Sequence, residues 1–131
     1  MKLFEPIPSE IDDIAKQVVD AAVKAHKALG PGLIESVYEA CLSHELRRRG
    51  VAVETQVPVP IVYEGLRLES ALRLDMLVQG RLIVELKAVE LMNPVFEAQL
   101  LSYLKLAGKL LGLLINFNVL VIKDGFKRLA L

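Results

Sequence analysis

The apolar residues of the first fifty positions recur every three or four residues, and this spacing predicts two amphipathic helices. Ser9 is the expected N-cap of the first helix, and Gly30 and Pro31 are expected to end it. The second predicted helix follows Gly32 and ends at Gly50. In both helices the apolar stripe marks the side that we expect to face the core.

In the middle of the chain, apolar residues alternate with polar ones or form short continuous runs, and both patterns predict β-strands. The run over 51–63 contains Pro58 and Pro60. Because proline lacks the N–H that a central strand needs, the prolines are expected at a sheet edge or at a strand start. The next strand is predicted over 66–78, and it leads into a hairpin over 73–89 whose apolar runs flank a short glycine-containing link.

The last third of the chain returns to a helix and then to strands. Asn93 is expected to cap this third helix, with Pro94 at its first position and Gly108 at its end. Strands are predicted over 110–117 and 126–131. The order of two helices, strands, one helix and further strands predicts a single α/β or α+β domain.

Three charged residues lie inside the strand-like runs of the hairpin. Asp75 belongs to the first run, and Glu85 and Lys87 belong to the second. Because alternate residues of a strand project to the same side, Glu85 and Lys87 share a face. Charged groups are costly to bury without partners, so these three residues indicate either a solvated sheet face or a functional site.

The link between the two runs decides whether Asp75 joins that face. A three-residue link over 79–81 would place Asp75 opposite Glu85. A two-residue link would place it opposite Val84, on the other face of the sheet. The functional interpretation therefore predicts an odd-length turn in which Gly80 takes a positive φ.

Two carboxylates and a lysine on one patch of a sheet suit the hydrolysis of a phosphodiester. Carboxylate oxygens bind a hard divalent cation such as Mg²⁺. The cation activates a water and neutralises charge on the phosphate. Lys87 would position that water or stabilise the transition state.

Composition and charge narrow the class of protein. The chain has 131 residues, of which 53% are hydrophobic, so it can form one domain with a real core and is not disordered. Its 16 basic and 16 acidic residues cancel, which counts against strong sequence-independent binding to DNA.

Residues 1–9 contain no signal-like apolar region, and the apolar stretch 110–122 is too short to span a membrane. With Cys41 as its single cysteine, the chain is expected to be cytoplasmic.

The segment Gly32-Leu-Ile-Glu-Ser-Val-Tyr38 fits the pattern G-x-x-E-x-x-Y, which names a family of small prokaryotic proteins. The flanking run His26-Lys-Ala-Leu-Gly-Pro-Gly32 and the segment Val84-Glu-Leu-Lys-Ala88 also resemble that family. The family is similar to the PD-(D/E)XK nuclease superfamily, although this chain has Leu74 where the superfamily name has proline. The resemblance implies a restriction-endonuclease-like α/β core over 1–131, with a central mixed β-sheet flanked by helices.

The resemblance also implies a set of site residues. In the superfamily pattern, a helical glutamate, a strand aspartate and a strand E-x-K form the metal site, and they correspond here to Glu35, Asp75, Glu85 and Lys87. Asp75, Glu85 and Glu35 would bind Mg²⁺ or Mn²⁺, with the Leu86 carbonyl as a further ligand. Lys87 would orient the nucleophile.

Two further residues, on the third predicted helix, resemble a known motif. Gln99 and Tyr103 lie four apart on the third predicted helix, like the Q-x-x-x-Y motif of the RecB-like branch, and would steady the site.

Glu35 would turn toward Asp75 beside Tyr38. As an acidic residue in a first helical turn, however, it could instead only stabilise the helix dipole.

The predicted function is that of a metal-dependent nuclease acting on nucleic acid, with DNA favoured over RNA. The alternative is a non-catalytic nucleic-acid- or protein-binding module that keeps the nuclease fold. Zero net charge and abundant apolar residues support this alternative, since such a chain could bury part of its surface in a homodimer.

Overall fold

A computed structural model describes residues 6–131 of the chain. Residues 1–5 lie outside the described part, and with them the start of the predicted 1–131 domain and of the segment inspected for a signal. The elements are α1 (Ser9–Leu29), α2 (Glu35–Arg48), β1 (Val53–Tyr63), β2 (Leu66–Val78), β3 (Leu82–Lys87), α3 (Val95–Ala107), β4 (Leu111–Asn116), a 3₁₀ turn (Ile122–Gly125) and β5 (Phe126–Ala130). The predicted order of helices and strands is confirmed.

The five strands form one mixed sheet in the order β1-β2-β3-β4-β5. Neighbouring strands are antiparallel except β3 and β4, which run parallel because α3 crosses between them. β1 is an edge strand, which is one of the two positions expected for Pro58 and Pro60. The chain therefore has the mixed sheet and flanking helices expected of a restriction-endonuclease-like α/β core.

The hairpin between β2 and β3 has the predicted odd-length link. Met76 pairs with Val84, and Val78 pairs with Leu82, so three residues connect the strands. Gly80 has a φ of 64°, which confirms the predicted positive value. Extending this register by one residue brings Asp75 level with Glu85, on the same face of the sheet.

Helices cover both faces of the sheet. α1 and α2 pack on one face around a large aliphatic core, and α3 packs on the other face with Leu100 and Leu104 directed at the strands. α3 approaches β4 closely at Gly112, where an added Cβ would lie 2.9 Å from a Leu100 methyl group. None of the helices within residues 6–131 combines the length and the apolar character needed to cross a membrane.

The helix ends differ slightly from the predictions. Ser9 is the first residue of α1 rather than its cap, because the carbonyl of Pro8 already accepts hydrogen bonds from the first turn. α2 ends at Arg48, before the predicted Gly50. α3 begins at Val95 rather than at Pro94, and the side-chain oxygen of Asn93 accepts a hydrogen bond from Val95 N at 3.0 Å, at the start of the helix.

Candidate functional site

The candidate site lies where β2 and β3 separate. These strands pair over only three residue pairs and then part, so that β2 continues beside β1 while β3 continues beside β4. Asp75 and Glu85 are the first residues past the last pair. Asp75 N–H donates to Glu85 Oε2 at 2.7 Å, and Leu86 N–H donates to Asp75 Oδ2 at 2.9 Å. The two carboxylates thus occupy the fork and replace the backbone bonds that would have joined the strands.

The two-stranded ribbon of β1 and β2 is twisted locally next to this fork. Gln56 lies opposite Asp75 in β1, but no ladder pair joins the two residues. Gln56 has a φ of 53°, which residues other than glycine rarely adopt. On one side of this point Leu74 packs beneath α3, and on the other Met76 packs beneath α1 and α2. Residues two apart share a face on a regular strand, so the ribbon must twist at Asp75.

The two carboxyl groups interact strongly in the fork. Glu85 is only 4% exposed. Burial, followed by the charge of Asp75, raises the pKa of Glu85 to about 8, while the nearby Lys87 opposes the shift. Near neutral pH the metal-free pair therefore retains a proton on Glu85.

The donor set of the fork fits a hard divalent cation. Carboxylate oxygens are the preferred ligands of Mg²⁺ and Mn²⁺, and a cation between Asp75 and Glu85 would relieve their repulsion. Within residues 6–131, the His, Cys, Asp and Glu side chains form no three-membered cluster that could hold a metal. A cation in the fork would accordingly use two carboxylates and retain water, as Mg²⁺ commonly does.

Glu35 borders the fork from the N-terminus of α2. Its side chain is largely exposed, but it lines a cavity of about 200 Å³ together with Asp75 and Leu86. Partial burial raises the pKa of Glu35, an effect that the charge of Lys87 opposes and that of Asp75 reinforces. Glu35 therefore faces the site rather than open solvent alone. Its role as a metal ligand stays a prediction.

Tyr38, the last residue of the G-x-x-E-x-x-Y segment, fixes the backbone that leads to Glu35. Its hydroxyl donates to Gly30 O at 2.6 Å and accepts from Leu33 N–H at 3.1 Å. The buried ring stacks on Phe117, with 4.5 Å between the ring centroids. Tyr38 therefore has an architectural role, because it clamps the turn between α1 and α2.

Lys87 projects from β3 toward α3. Its Nζ lies 4.5 Å from the centroid of the Phe96 ring. No carboxylate within residues 6–131 forms an ion pair with it. Its charge nonetheless lowers the pKa values of Glu35 and Glu85 against the effect of burial, so the ammonium lies near the site without neutralising it.

The two residues expected to steady the site from α3 differ in their surroundings. Tyr103 is half-buried, and burial followed by the charges of Glu85 and Asp75 raises its pKa. Gln99, one turn earlier, is exposed and makes no side-chain hydrogen bond to any residue between 6 and 131. The fold therefore brings Tyr103 toward the carboxylates, and the predicted role of Gln99 has no contact to support it.

Several residues of the site were missed by the sequence reasoning. Glu39 and Gln56 line the same cavity as Glu35, and Gln56 Nε2 donates to Glu39 Oε1 at 2.7 Å. Glu39 lies four residues after Glu35 on α2, so helical spacing could have indicated it. Gln56 carried no such signal, since only the twist of the ribbon brings it to the cavity.

Asn116 fixes the end of β3 and was also missed. Its side-chain Nδ2 donates to Val89 O at 2.9 Å, and its Oδ1 accepts from Val89 N–H at 3.1 Å. In addition, Phe117 N–H donates to Lys87 O. These bonds hold the segment that follows Lys87 against the end of β4, although a lone asparagine in an apolar run gave no indication of this in the sequence.

Comparisons with known proteins agree with this geometry. The family described as the PD-(D/E)XK nuclease superfamily matches the chain over residues 12–129. No curated protein and no solved structure matches the sequence. The matched span includes β1 to β4, all of β5 except its last residue, and every residue of the fork.

Proposed function

The chain belongs to the PD-(D/E)XK nuclease superfamily, and we propose that it is a metal-dependent nuclease that hydrolyses phosphodiester bonds in nucleic acid. The observation that carries this proposal is the pair of carboxylates at the fork, Asp75 and Glu85, with Lys87 on the same strand face. The proposal treats residues 1–131 as one nuclease domain. The segment Gly32–Tyr38 supports placing it in the G-x-x-E-x-x-Y branch.

Each residue of the fork has a role in the proposed reaction. Asp75 and Glu85 would hold Mg²⁺ or Mn²⁺ with the Leu86 carbonyl as a further donor, and Glu35 would add a ligand or hold a water at the rim. The bound cation supplies Lewis-acid polarisation of the phosphate and charge neutralisation. Lys87 would donate a hydrogen bond that orients the attacking water. The water oxygen bonds to phosphorus as the bond from phosphorus to the leaving oxygen breaks, the water losing a proton and the leaving oxygen gaining one.

The helix α3 completes the proposed site. Tyr103, half-buried on α3, would limit the access of solvent to the carboxylates, and Gln99 would steady the site from the exposed side of the helix. Zero net charge counts against strong sequence-independent binding to nucleic acid. We propose DNA in preference to RNA, and a cytoplasmic location consistent with the unpaired Cys41.

A cleavage assay tests the proposal. Single- and double-stranded DNA and RNA are incubated with the protein in Mg²⁺, Mn²⁺ or EDTA. We expect cleavage that requires the cation and that falls about 10²- to 10³-fold in Lys87→Ala, the loss typical of removing one group that acts in the transition state. Lys27→Ala, an exposed lysine of α1, is the matched control. Cation-independent cleavage, or equal rates for Lys87→Ala and wild type, would contradict the proposal.

A second candidate function, a non-catalytic binding module that forms a homodimer, is favoured by the tip of the β1–β2 ribbon. Four apolar side chains there, Val62, Tyr63, Leu66 and Leu68, are between 47% and 69% exposed. Contiguous exposed apolar residues of this kind often mark an interaction surface. A thermal shift with Mn²⁺ that disappears in Asp75→Asn supports the nuclease. A dimer in solution without any Mn²⁺ shift supports the module.

A further inference from the structure

The helix α3 covers the face of β3 that carries Glu85 and Lys87. Phe96 lies in its first turn, half-buried against the apolar cluster beneath this helix. The Lys87 ammonium lies 4.5 Å from the centre of the Phe96 ring, within the distance at which a cation is attracted to an aromatic face. The ring is thus supported from behind and presents its face to the lysine.

Lys87 contacts the Phe96 ring although carboxylates, which attract an ammonium group more strongly, are close. Lys87 lies two residues from Glu85 on the same face of β3, yet it pairs with no carboxylate among residues 6–131. A lysine ammonium that settled between the carboxylates would occupy the oxygens that a divalent cation needs.

We propose that Phe96 is a positioning residue, which holds the Lys87 ammonium apart from the carboxylate pair. The carboxylate oxygens then stay free for a cation, and the ammonium stays directed at the place where a phosphate would bind. This inference rests on the proposed function for the role of Lys87, but not for the existence of the contact.

The aromatic face, rather than apolar bulk, is the feature that matters. In Phe96→Leu the apolar packing largely remains, but the negative ring face is lost and Lys87 can move to the carboxylates. We expect Mn²⁺ affinity and kcat to fall by about 3- to 30-fold, the range that a cation–π contact spans, with little change in KM. Phe96→Tyr keeps the ring face and restores both.

Nuclear magnetic resonance of the metal-free protein reports the contact without any need for activity. The ε-methylene protons of Lys87 should be shifted upfield by the ring in wild type and in Phe96→Tyr, and not in Phe96→Leu. Tyr63→Leu, which removes an exposed aromatic ring at the ribbon tip, is the control and should leave these protons and Mn²⁺ affinity unchanged. Thermal melts establish that each variant is folded.

A double-variant cycle separates positioning from packing. In a Lys87→Met background, Phe96→Leu should have no further effect on Mn²⁺ affinity, measured by calorimetry. An equal loss in both backgrounds, or wild-type affinity in Phe96→Leu, overturns the inference. If the cycle behaves as expected but wild-type protein cleaves nothing, the positioning role stands and the nuclease proposal fails. If wild-type protein binds no Mn²⁺, both fail.

Discussion

The two faces of β3 have opposite chemistry, although they belong to one strand of six residues. On the side covered by α1 and α2 every side chain is aliphatic, and on the side covered by α3 one aliphatic residue is followed by two charged ones. The first set is Leu82, Val84 and Leu86, and the second is Ile83, Glu85 and Lys87. The difference shows how the fold keeps a self-repelling pair of carboxylates in place, since the aliphatic face supplies the stability that the charged face reduces.

Shortening a side chain on the aliphatic face of β3 should cause the largest loss of stability. Leu86 is fully buried between the sheet and the helices α1 and α2. We expect Leu86→Ala to lower the free energy of unfolding by about 2–5 kcal/mol, because it removes buried methyl groups and leaves a cavity. Urea denaturation measures the loss. Leu91→Ala, at a position that is 85% exposed, should change stability by less than about 0.5 kcal/mol.

Replacing Glu85, the neighbour of Leu86 on the charged face, should raise the free energy of unfolding rather than lower it. Burial and Asp75 raise the pKa of Glu85 from 4.5 to about 8 in the folded, metal-free protein. The folded state therefore binds this proton more tightly than the unfolded state, and that stability is fully present below pH 4.5 and lost as pH rises toward 8. At pH 8, we expect Glu85→Gln to be more stable than wild type by on the order of 1–3 kcal/mol.

The pH dependence supplies the check on that prediction. Near pH 4.5 both proteins carry a neutral side chain at position 85, so their melting temperatures in EDTA should agree closely. Between pH 4.5 and 8 wild type should lose stability that Glu85→Gln retains. Equal slopes for the two proteins would mean that Glu85 does not carry the raised pKa.

The hydroxyl of Tyr38 sharpens the comparison, because it is a polar link on the largely apolar side covered by α1 and α2. It bonds to Gly30 O and Leu33 N, which precede Glu35. We expect Tyr38→Phe to cost about 1 kcal/mol of stability and to weaken Mn²⁺ binding slightly through a looser Glu35. Tyr63→Phe, at the exposed ribbon tip, is the matched control. Unchanged chemical shifts for residues 30–35 would rule out the clamp.

The smallest effect is expected at the outer surface of the charged side. There Glu97 of α3 forms an exposed ion pair with Lys127 of β5, with 3.1 Å between Oε1 and Nζ. Glu97→Gln should cost no more than about 0.5 kcal/mol, and the difference should vanish in high salt. A larger, salt-independent loss in chemical denaturation would show that this pair, rather than apolar packing, holds α3 on the sheet.

Local chemistry made much of the hairpin predictable. The apolar runs located both strands, and the functional interpretation predicted the odd-length link over 79–81. The structure has that link, so Asp75 and Glu85 share a face. The third helix was predictable for a similar reason, since Asn93 and Pro94 signal a helix start from sequence alone. Its start was displaced by one residue, to Val95.

The sequence by itself determined which side chains could meet, because strand alternation, turn length and helix caps depend on neighbours in the chain. It thereby determined the spacing of the superfamily motif and the common face of Glu85 and Lys87, whereas the register that adds Asp75 to that face was seen only in the structure. Only the tertiary structure decided how they meet. The parting of β2 from β3, the twist at Gln56 and the ring of Phe96 beside the lysine each depend on elements far apart in sequence. The raised pKa of Glu85 follows from the same cause, since desolvation exists only once α3 and the sheet enclose the carboxylate.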